Sequence, residues 1–264
     1  MEPRPRRRFG QHFLQDPAVI EHILSAVDAR PGDRLVEIGP GRGAITRGLL
    51  RAAGRLDAVE LDRDLVDLLV RQFSRLGELA VHSADALKLD LCGLARSGER
   101  LRLVGNLPYN ISTPLLFRFL DQSHCIHDLH LMLQKEVVER ITAEPGSKSY
   151  GRLSVMIQVY CRATALFDIL PGAFQPAPRV RSSFLRLVPY RPLPHALLDP
   201  ELLARLVARA FSQRRKTLRN SLKGFVPMRI LEALGIDPGL RAEELEVATF
   251  VRLANAACKS APPP

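Results

Sequence analysis

The feature that most constrains the fold is an alternation of short apolar runs with helical patterns between residues 34 and 143. Between these runs, apolar residues recur at the spacing of one helix face. A chain that alternates strands with helices in this way forms a mostly parallel sheet with helices on both faces. We therefore predict an α/β fold with strands over residues 34–38, 56–61, 79–82, 101–105 and 128–133.

Helices are predicted before and between these strands. The first begins at Asp16-Pro17, because aspartate is a good N-cap and proline is tolerated in the first helical turn. Others are expected over 44–53, from an Asp62 cap to residue 76, over 114–120 with Ser112 as the cap, and over 135–143. These helices would cover the two faces of the sheet.

The pattern changes after Gly151. Residues 153–161, 165–169 and 183–188 are predicted to be strands that form an antiparallel edge of the sheet. Residues 189–200 contain four prolines and are typical of a linker, and only helical patterns follow them. We therefore expect a domain of residues 1–192 and a small all-helical domain of residues 193–264, whose last residues, 261–264, fray.

The chain is strongly basic, with 38 lysines and arginines against 28 acidic residues. This excess favours a polyanionic partner, a nucleic acid rather than a membrane. One basic block runs from Arg4 to Arg8, and a second, between residues 205 and 223, contains no acid. The second block consists of Arg205, Arg209, Arg214, Arg215, Lys216, Arg219 and Lys223. A charge run is often only a solvated helix face, but the lack of interleaved acids favours contact with phosphates.

The cysteines and the hydropathy pattern bear on the compartment. The four cysteines are far apart and include no CxxC pair, so we expect reduced thiols, no metal site and a cytoplasmic protein. They are Cys92, Cys125, Cys161 and Cys258. No apolar run of about 18 residues is present, which argues against a membrane span. The basic N-terminus is not followed by an apolar stretch, so it is not a secretory signal.

A glycine-rich loop follows the first predicted strand, with Gly39, Gly41 and Gly43 before a helix. Such a loop lets the backbone approach a nucleotide closely. Glu60 ends the next strand, where a carboxylate can accept both ribose hydroxyls, and Asp85 after the third could bind an adenine amine. The alternative is packing glycines and surface acids. Two ligands fit, a dinucleotide and S-adenosylmethionine, and the GxGxG spacing speaks against the dinucleotide.

Asn106-Leu107-Pro108-Tyr109 stands at the carboxyl end of the fourth predicted strand. The Asn106 side-chain oxygen and a backbone carbonyl of Pro108 or Leu107 could accept the two N–H groups of an exocyclic amine. The Tyr109 ring could stack on the base. The alternative is an ordinary turn, because asparagine and proline are common turn residues.

Several segments of the sequence resemble one enzyme family. They are FGQHFL at 9–14, VEIGPG at 36–41, GNLPYNISTP at 105–114, MLQKEVVER at 132–140, KSYGRLSVM at 148–156 and FSQRRKTLRNSLK at 211–223. Over residues 8 to 255 the chain resembles the ribosomal RNA adenine dimethyltransferases, most closely the bacterial type that acts on 16S rRNA. The resemblance implies a Rossmann-like class I methyltransferase sheet with a helical RNA-binding C-terminal domain, acting as a monomer.

The resemblance also implies a reaction. S-adenosylmethionine would donate methyl groups to N6 of two adjacent adenosines in the 3′-terminal hairpin loop of 16S rRNA, within the small ribosomal subunit. Phe174 would form a second aromatic wall opposite Tyr109. By position, the donor would be bound by His12, Leu14, Gly39, Glu60, Asp85 and Asn106, with Gly41 in the same loop. The family usually has Asn where His12 stands, and Ser83-Ala84-Asp85 replaces its Gly-Asp pair.

Two other functions fit the same motifs. One is an RNA-binding assembly factor that keeps the fold without catalysis, and the other is an enzyme of this fold that methylates 23S rRNA. The intact acids and the asparagine–tyrosine corner favour an enzyme, and the long basic block together with the GNLPYNISTP segment favours 16S rRNA. The adenine amine is too weak an acid to be deprotonated first, so no strong general base is expected.

Overall fold

The computed structural model of the chain describes residues 11–260. The basic block from Arg4 to Arg8, the first two residues of the FGQHFL segment and the expected frayed end at 261–264 lie outside the described residues. The chain divides into two compact units. The first contains residues up to 138 together with 164–189, and the second contains residues 139–163 together with those from 190 onward.

The elements alternate as predicted through the first half of the chain. They are β1 (Phe13–Leu14), α1 (Pro17–Val27), β2 (Arg34–Ile38), α2 (Thr46–Ala53), β3 (Arg55–Glu60), α3 (Arg63–Phe73), β4 (Glu78–Ser83), β5 (Leu101–Asn106), α4 (Ser112–Asp121), β6 (Ile126–Gln134) and α5 (Lys135–Ile141). The remaining elements are α6 (Arg152–Tyr160), β7 (Cys161–Ile169), β8 (Phe174–Gln175), β9 (Ser182–Pro189), α7 (Pro200–Ala210), α8 (Leu218–Ser221), α9 (Met228–Ala233) and α10 (Val247–Ser260).

Seven strands form the main sheet in the order β4-β3-β2-β5-β6-β9-β7. The strands from β4 to β6 are parallel, and β9 is antiparallel to β6. The chain runs outward from β2 to β3 and β4 on one side, then returns to place β5 and β6 on the other. Ligands of open α/β sheets bind beyond the carboxyl ends of the strands at such a switch point. The prediction of a mostly parallel sheet with an antiparallel edge is confirmed.

Burial and capping explain the best-predicted elements. All five residues of β2 are buried, as expected for a central parallel strand covered by helices on both faces. The Asp16 carboxylate accepts from the backbone N–H groups of Ala18 and Val19, which caps α1. Asp62 caps α3 in the same way, through the N–H of Asp64. Both caps satisfy backbone donors that the first helical turn leaves unpaired.

Two local predictions were wrong. Residues 153–161 are almost entirely helical. The prediction failed because α6 is buried around most of its circumference, and a short, mostly apolar segment of this kind cannot be told from a buried strand. The N–H of Gly151 donates to the Ser154 hydroxyl, which itself donates to the carbonyl of Arg140. Ser112 is not a cap but the first residue of α4, and its hydroxyl donates to the carbonyl of Tyr109.

The second unit contains more of the chain than the expected helical domain from residue 193 onward. Residues 139–163, expected in the first domain, belong to it together with α7 to α10. Tyr150 is almost fully buried there, and its hydroxyl donates to the carbonyl of Leu245, 95 residues further along the chain. Its ring also meets Phe211 edge-on, with 6.1 Å between ring centroids. A contact at this sequence separation cannot be anticipated from local patterns.

The cysteines depart from the prediction of reduced thiols. Cys92 and Cys125 are joined by a disulfide, although 33 residues separate them. Cys161, which is buried, and Cys258, which is half-buried, are free. No helix within residues 11–260 is both long and apolar enough to cross a lipid bilayer.

Gly105 lets β5 approach β2 closely. We therefore predict that a side chain at this position lowers the stability of the fold. A Cβ at this position would lie 2.5 Å from the carbonyl oxygen of Ile38, closer than backbone atoms tolerate. We expect Gly105→Ala to lower the free energy of unfolding by about 1–3 kcal/mol, as overpacking does. Urea denaturation measures it. Gly172→Ala is the control, because a Cβ there meets nothing within 4 Å; equal stability of the two variants would contradict the prediction.

Candidate active site

A cavity of about 320 Å³ opens at the carboxyl ends of the parallel strands, where the sheet order reverses. The residues that border it come from β1, the glycine-rich loop, the ends of β3 and β5, and the segments that follow β4 and β5. All predicted site residues except Phe174 line it, and these are His12, Leu14, Gly39, Gly41, Glu60, Asp85, Asn106, Leu107, Pro108 and Tyr109. The structure thus brings together residues that are almost 100 positions apart in the sequence.

Glu60 is held rigidly where β3 ends. One carboxylate oxygen accepts from the N–H of Gly41 at 3.2 Å, and the other accepts from the N–H of Asp62 at 2.9 Å. Burial raises the pKa of Glu60, although these hydrogen bonds oppose the shift. Gly41 has a φ of +58°, and a Cβ there would lie 3.1 Å from the Phe13 ring. The loop therefore needs glycine at this position, both for its backbone angle and for its packing.

Asp85 and Leu61 also border the cavity, each just after the end of a strand, with Leu61 directly after Glu60. Asp85 follows β4, and its Oδ1 accepts from the N–H of Leu87 at 3.0 Å, which fixes the carboxylate in a tight turn. The Leu61 side chain remains 50% exposed. An exposed leucine in the same cavity as two carboxylates offers an apolar surface for a flat ring. Sequence reasoning missed Leu61, because single exposed leucines are common on protein surfaces.

The Asn106 side chain has a defined orientation at the end of β5. Its Nδ2 donates to the backbone carbonyl of His12 at 3.1 Å. Since the amide nitrogen is used in this way, Oδ1 is the atom of that side chain that can accept hydrogen bonds from a ligand. The His12 imidazole lies elsewhere, with Nδ1 2.7 Å from the carbonyl oxygen of Pro176. His12 thus contacts Asn106 through its backbone, so the contact does not depend on the identity of its side chain.

Two contacts fix the orientation of the Tyr109 side chain, one at its hydroxyl and one at its ring. Its hydroxyl lies 2.6 Å from the Ser182 hydroxyl, and its ring stacks near the His12 imidazole with 5.7 Å between centroids. Burial raises the pKa of Tyr109, so the phenol stays neutral at physiological pH. In the same corner, the carbonyl of Pro108 accepts from the N–H of Ile111 at 3.1 Å. A carbonyl has two lone pairs, so it can accept one further hydrogen bond.

Phe174 does not line the cavity. It is 3% exposed and belongs to the hydrophobic core of the first unit. The short antiparallel pair of β1 and β8 places it opposite Leu14. The predicted stacking of Phe174 on a base therefore stays a prediction, without support from its position here.

Glu37 also borders the cavity, and sequence reasoning did not select it. It is 1% exposed within β2, and the Thr46 hydroxyl donates to its carboxylate at 2.6 Å. Burial raises the pKa of Glu37 to about 8, so it is largely protonated near neutral pH. A carboxylate in the middle of the apolar run Val36-Glu37-Ile38 was the available signal, because such groups are seldom buried without a reason.

The second unit contains the basic block between residues 205 and 223. All of its lysines and arginines are exposed, on α7, on α8 and in the turns that follow each of these helices. Arg214 differs from the others, because its Nε lies 2.7 Å from the Glu243 carboxylate and its Nη2 donates to the carbonyl of Lys148. The block is therefore available for phosphate contacts, with Arg214 held in place by its own unit.

Comparisons with known proteins identify relatives across nearly the whole chain. A family model described as ribosomal RNA adenine dimethylase matches residues 3–259. A protein of Pseudomonas aeruginosa named ribosomal RNA small subunit methyltransferase A is 55% identical, over 96% of this chain and 94% of its own. A protein of the same name from Methylococcus capsulatus is 56% identical, over 95% of this chain and 97% of its own.

Solved structures agree with these relatives. The crystal structure of a dimethyladenosine transferase from Plasmodium falciparum superposes with a TM-score of 0.81 at 25% identity, covering 92% of this chain and 96% of that one. The 23S rRNA methyltransferase ErmE superposes with a TM-score of 0.72 at 24% identity, covering 93% of this chain and 99% of that one. The second similarity concerns the fold alone.

Proposed function

The chain belongs to the ribosomal RNA adenine dimethylase family and is an rRNA adenine dimethyltransferase, and from this we propose a donor, a target and residue roles. The donor is S-adenosylmethionine. The target is N6 of two adjacent adenosines in the 3′-terminal hairpin loop of 16S rRNA, in the small ribosomal subunit. The observation that supports this proposal most directly is the fixed Asn106 amide, which leaves an acceptor oxygen in a cavity of nucleoside size.

The donor-binding half of the proposal depends on two carboxylates. The two Glu60 oxygens accept from the N–H groups of Gly41 and Asp62, and we assign the same carboxylate, which borders the cavity, as the acceptor of the vicinal ribose hydroxyls. Asp85 has a second carboxylate oxygen available for an adenine amine, and Leu61 offers the apolar surface beside it. S-adenosylmethionine supplies a methyl group that its sulfonium activates toward nucleophiles.

The acceptor half begins with the weak nucleophilicity of the adenine amine, whose lone pair is delocalised into the ring. We assign Asn106 Oδ1 and the carbonyl of Pro108, or that of Leu107, as acceptors of its two N–H groups. Two hydrogen bonds of this kind draw the amine toward a tetrahedral shape and direct its lone pair at the methyl group. The proton leaves after transfer, when the methylated nitrogen has become acidic, so no strong base is required.

Tyr109 is assigned to hold the base by stacking. Its hydroxyl is hydrogen-bonded to Ser182, so the ring loses little freedom when a base packs on it. Stacking of this kind contributes about 1–3 kcal/mol per base. In the second methylation only one N–H remains, so one acceptor is released and the pocket must hold the first methyl group.

Glu60→Ala should weaken donor binding. Loss of hydrogen bonds to a charged acceptor costs about 1.5–3 kcal/mol, which corresponds to roughly a 10–100-fold rise in Kd. Isothermal titration with S-adenosylhomocysteine measures it. Glu78→Gln, at an exposed position on β4, is the control. Glu60 also accepts the N–H groups of Gly41 and Asp62, so its replacement by alanine removes two structural hydrogen bonds. The melting temperatures of Glu60→Ala and Glu60→Gln are therefore compared with that of the wild type. An unchanged Kd in a folded Ala variant would contradict the ribose assignment.

The basic block is proposed to contact RNA phosphates. Each lost contact reduces the slope of log K against log salt by about 1, so the double variant Arg215→Ala, Arg219→Ala should reduce it by about 2. Filter binding of small subunits between low and physiological salt measures the slope. Arg71→Ala, an exposed arginine on α3, is the control. Equal slopes for all three proteins would place the phosphate contacts elsewhere.

The decisive experiment is mass spectrometry of nucleosides after incubation with methyl-labelled S-adenosylmethionine. Immature small subunits, 23S rRNA and mature small subunits are compared. We expect labelled N6,N6-dimethyladenosine, two per particle, only from immature small subunits. Label in 23S rRNA would support the resistance-type enzyme, and binding without label would support an assembly factor. We further propose that the protein acts as a monomer in the cytoplasm, which light scattering and cell fractionation test.

A further inference from the structure

The disulfide between Cys92 and Cys125 lies outside the cavity and has no part in methyl transfer. Cys92 follows the segment that contains Asp85, and Cys125 directly precedes β6. His124 completes a cluster in which one ligand atom from each residue lies within 4.8 Å of the others. Two sulfur atoms and an imidazole at this separation form a chemically distinct group, which the proposed function leaves unused.

We propose that Cys92 and Cys125 form a reversible redox site, in which Cys92 reacts first with low-molecular-weight disulfides and Cys125 then resolves the adduct. The pair would exist as a dithiol or as the disulfide seen here, according to the surrounding thiol–disulfide ratio. This inference is independent of the proposed methyl transfer.

The local geometry accommodates both states. The Cα atoms of the two cysteines are 5.5 Å apart, within the ordinary range for a disulfide. The carbonyl of Gln122 lies 3.2 Å from Cys125 Sγ and 3.7 Å from Cys92 Sγ, so either thiol has an acceptor when reduced. The Gln122 side chain also accepts from the N–H of Leu91 at 2.7 Å and donates to the carbonyl of Leu89. These bonds hold the two segments together without help from the sulfurs.

The surroundings distinguish the two sulfurs. Cys92 is partly exposed, whereas Cys125 is 7% exposed. The exposed His124 imidazole places Nε2 3.3 Å from Cys92 Sγ, and a neighbouring imidazole favours the reactive thiolate. Cys161 provides a contrast, because burial raises its pKa to about 12 and leaves it inert. Access and activation therefore both favour Cys92 as the attacking thiol.

The chemistry balances with glutathione disulfide as the oxidant. The Cys92 thiolate attacks one sulfur of glutathione disulfide, forms a mixed disulfide and expels a glutathione thiolate, which takes up the proton that Cys92 lost. Cys125 then attacks the Cys92 sulfur, and the second glutathione thiolate leaves with the Cys125 proton. The protein loses two electrons and two protons, and one glutathione disulfide becomes two glutathione thiols.

The test is to equilibrate the full-length wild-type protein across glutathione redox ratios. Samples are quenched with acid, alkylated and mapped by peptide mass. We expect Cys92 and Cys125 to lose alkylation together in a single transition, while Cys258 does not follow them. In Cys125→Ser, glutathione should remain attached to Cys92, and in Cys92→Ser the remaining Cys125 should stay unmodified. Full alkylation of both cysteines at every ratio, or a lasting glutathione adduct in the wild type, would overturn the proposal.

The role of His124 is tested by the rate of the first step. At pH 7, His124→Ala should react with glutathione disulfide about tenfold more slowly than wild type, because it loses the group that favours the thiolate. The pH profile of this rate should also move upward. His127→Ala is the control, because His127 is exposed three residues further on and lies outside the cluster. Equal rates and pH profiles for His124→Ala and His127→Ala would show that His124 does not activate Cys92.

Discussion

Asn106→Ala is expected to lower kcat for methyl transfer to small subunits by about 100–1000-fold, the effect of losing one acceptor or donor that acts on the reacting group. The alanine removes the oxygen that we propose accepts an N–H of the target amine. It also removes the N–H that donates to the carbonyl of His12 at 3.1 Å. Single-turnover rates with labelled donor measure the chemical step directly, without interference from product release.

Two controls separate chemistry from folding. Gln72→Ala removes an exposed amide on α3 and should retain wild-type activity. Titration of Asn106→Ala with S-adenosylhomocysteine shows how much of the loss arises from donor binding. Asn106→Asp keeps oxygen acceptors but loses the N–H to His12, so it should also be impaired. An Asn106→Ala enzyme with near-normal turnover and donor affinity would exclude the proposed activation of the amine.

The second large effect concerns stability. Glu37→Gln is expected to stabilise the ligand-free protein increasingly as the pH rises. Burial raises the pKa of Glu37 from 4.5 to about 8, so the folded state retains a proton that the unfolded state releases. Between these two values the wild type therefore loses stability as the pH rises, whereas the amide variant has no proton to release. Between pH 4.5 and about 8, the free energy of unfolding of the variant should rise relative to that of the wild type by up to about 5 kcal/mol.

Urea denaturation at several pH values between 4.5 and 9 measures this difference. A glutamine oxygen can still accept from the Thr46 hydroxyl, so the packing of β2 against α2 is retained. Glu21→Gln is the matched control, because it makes the same replacement at an exposed position on α1. A stability difference for Glu37→Gln that stays constant over this range would show that the buried carboxyl is ionised in the folded state.

The parallel sheet and most of the cavity could be predicted because their signals are local. Continuous apolar runs that end in glycine, glutamate or asparagine identify both the buried strands and the polar groups at their carboxyl ends. Glu60 and Asn106 therefore lie where the pattern placed them. The helix over Arg152–Tyr160 was missed for the same reason, because a short buried apolar run has no periodicity that separates helix from strand.

Features that depend on distant contacts could not be predicted. The pairing of Cys92 with Cys125 depends on the contact between the segment that joins β4 to β5 and the residues that precede β6. The placement of residues 139–163 in the second unit depends on contacts such as that of Tyr150 with the Leu245 carbonyl. Glu37 is different, because an acid within the apolar run Val36-Glu37-Ile38 was a local signal for a buried carboxyl that was not used.

The reversal of strand order at β2 has an evolutionary consequence. Residues 39–87 and residues 106–111 reach the cavity from opposite sides of that reversal, each on its own strands. Changes in the corner after β5, which we propose to hold the nucleobase, can therefore alter which base is accepted while the earlier loops keep their geometry. With the cosubstrate assigned to those earlier loops, as we propose, selection can retarget the enzyme without rebuilding its recognition of the cosubstrate.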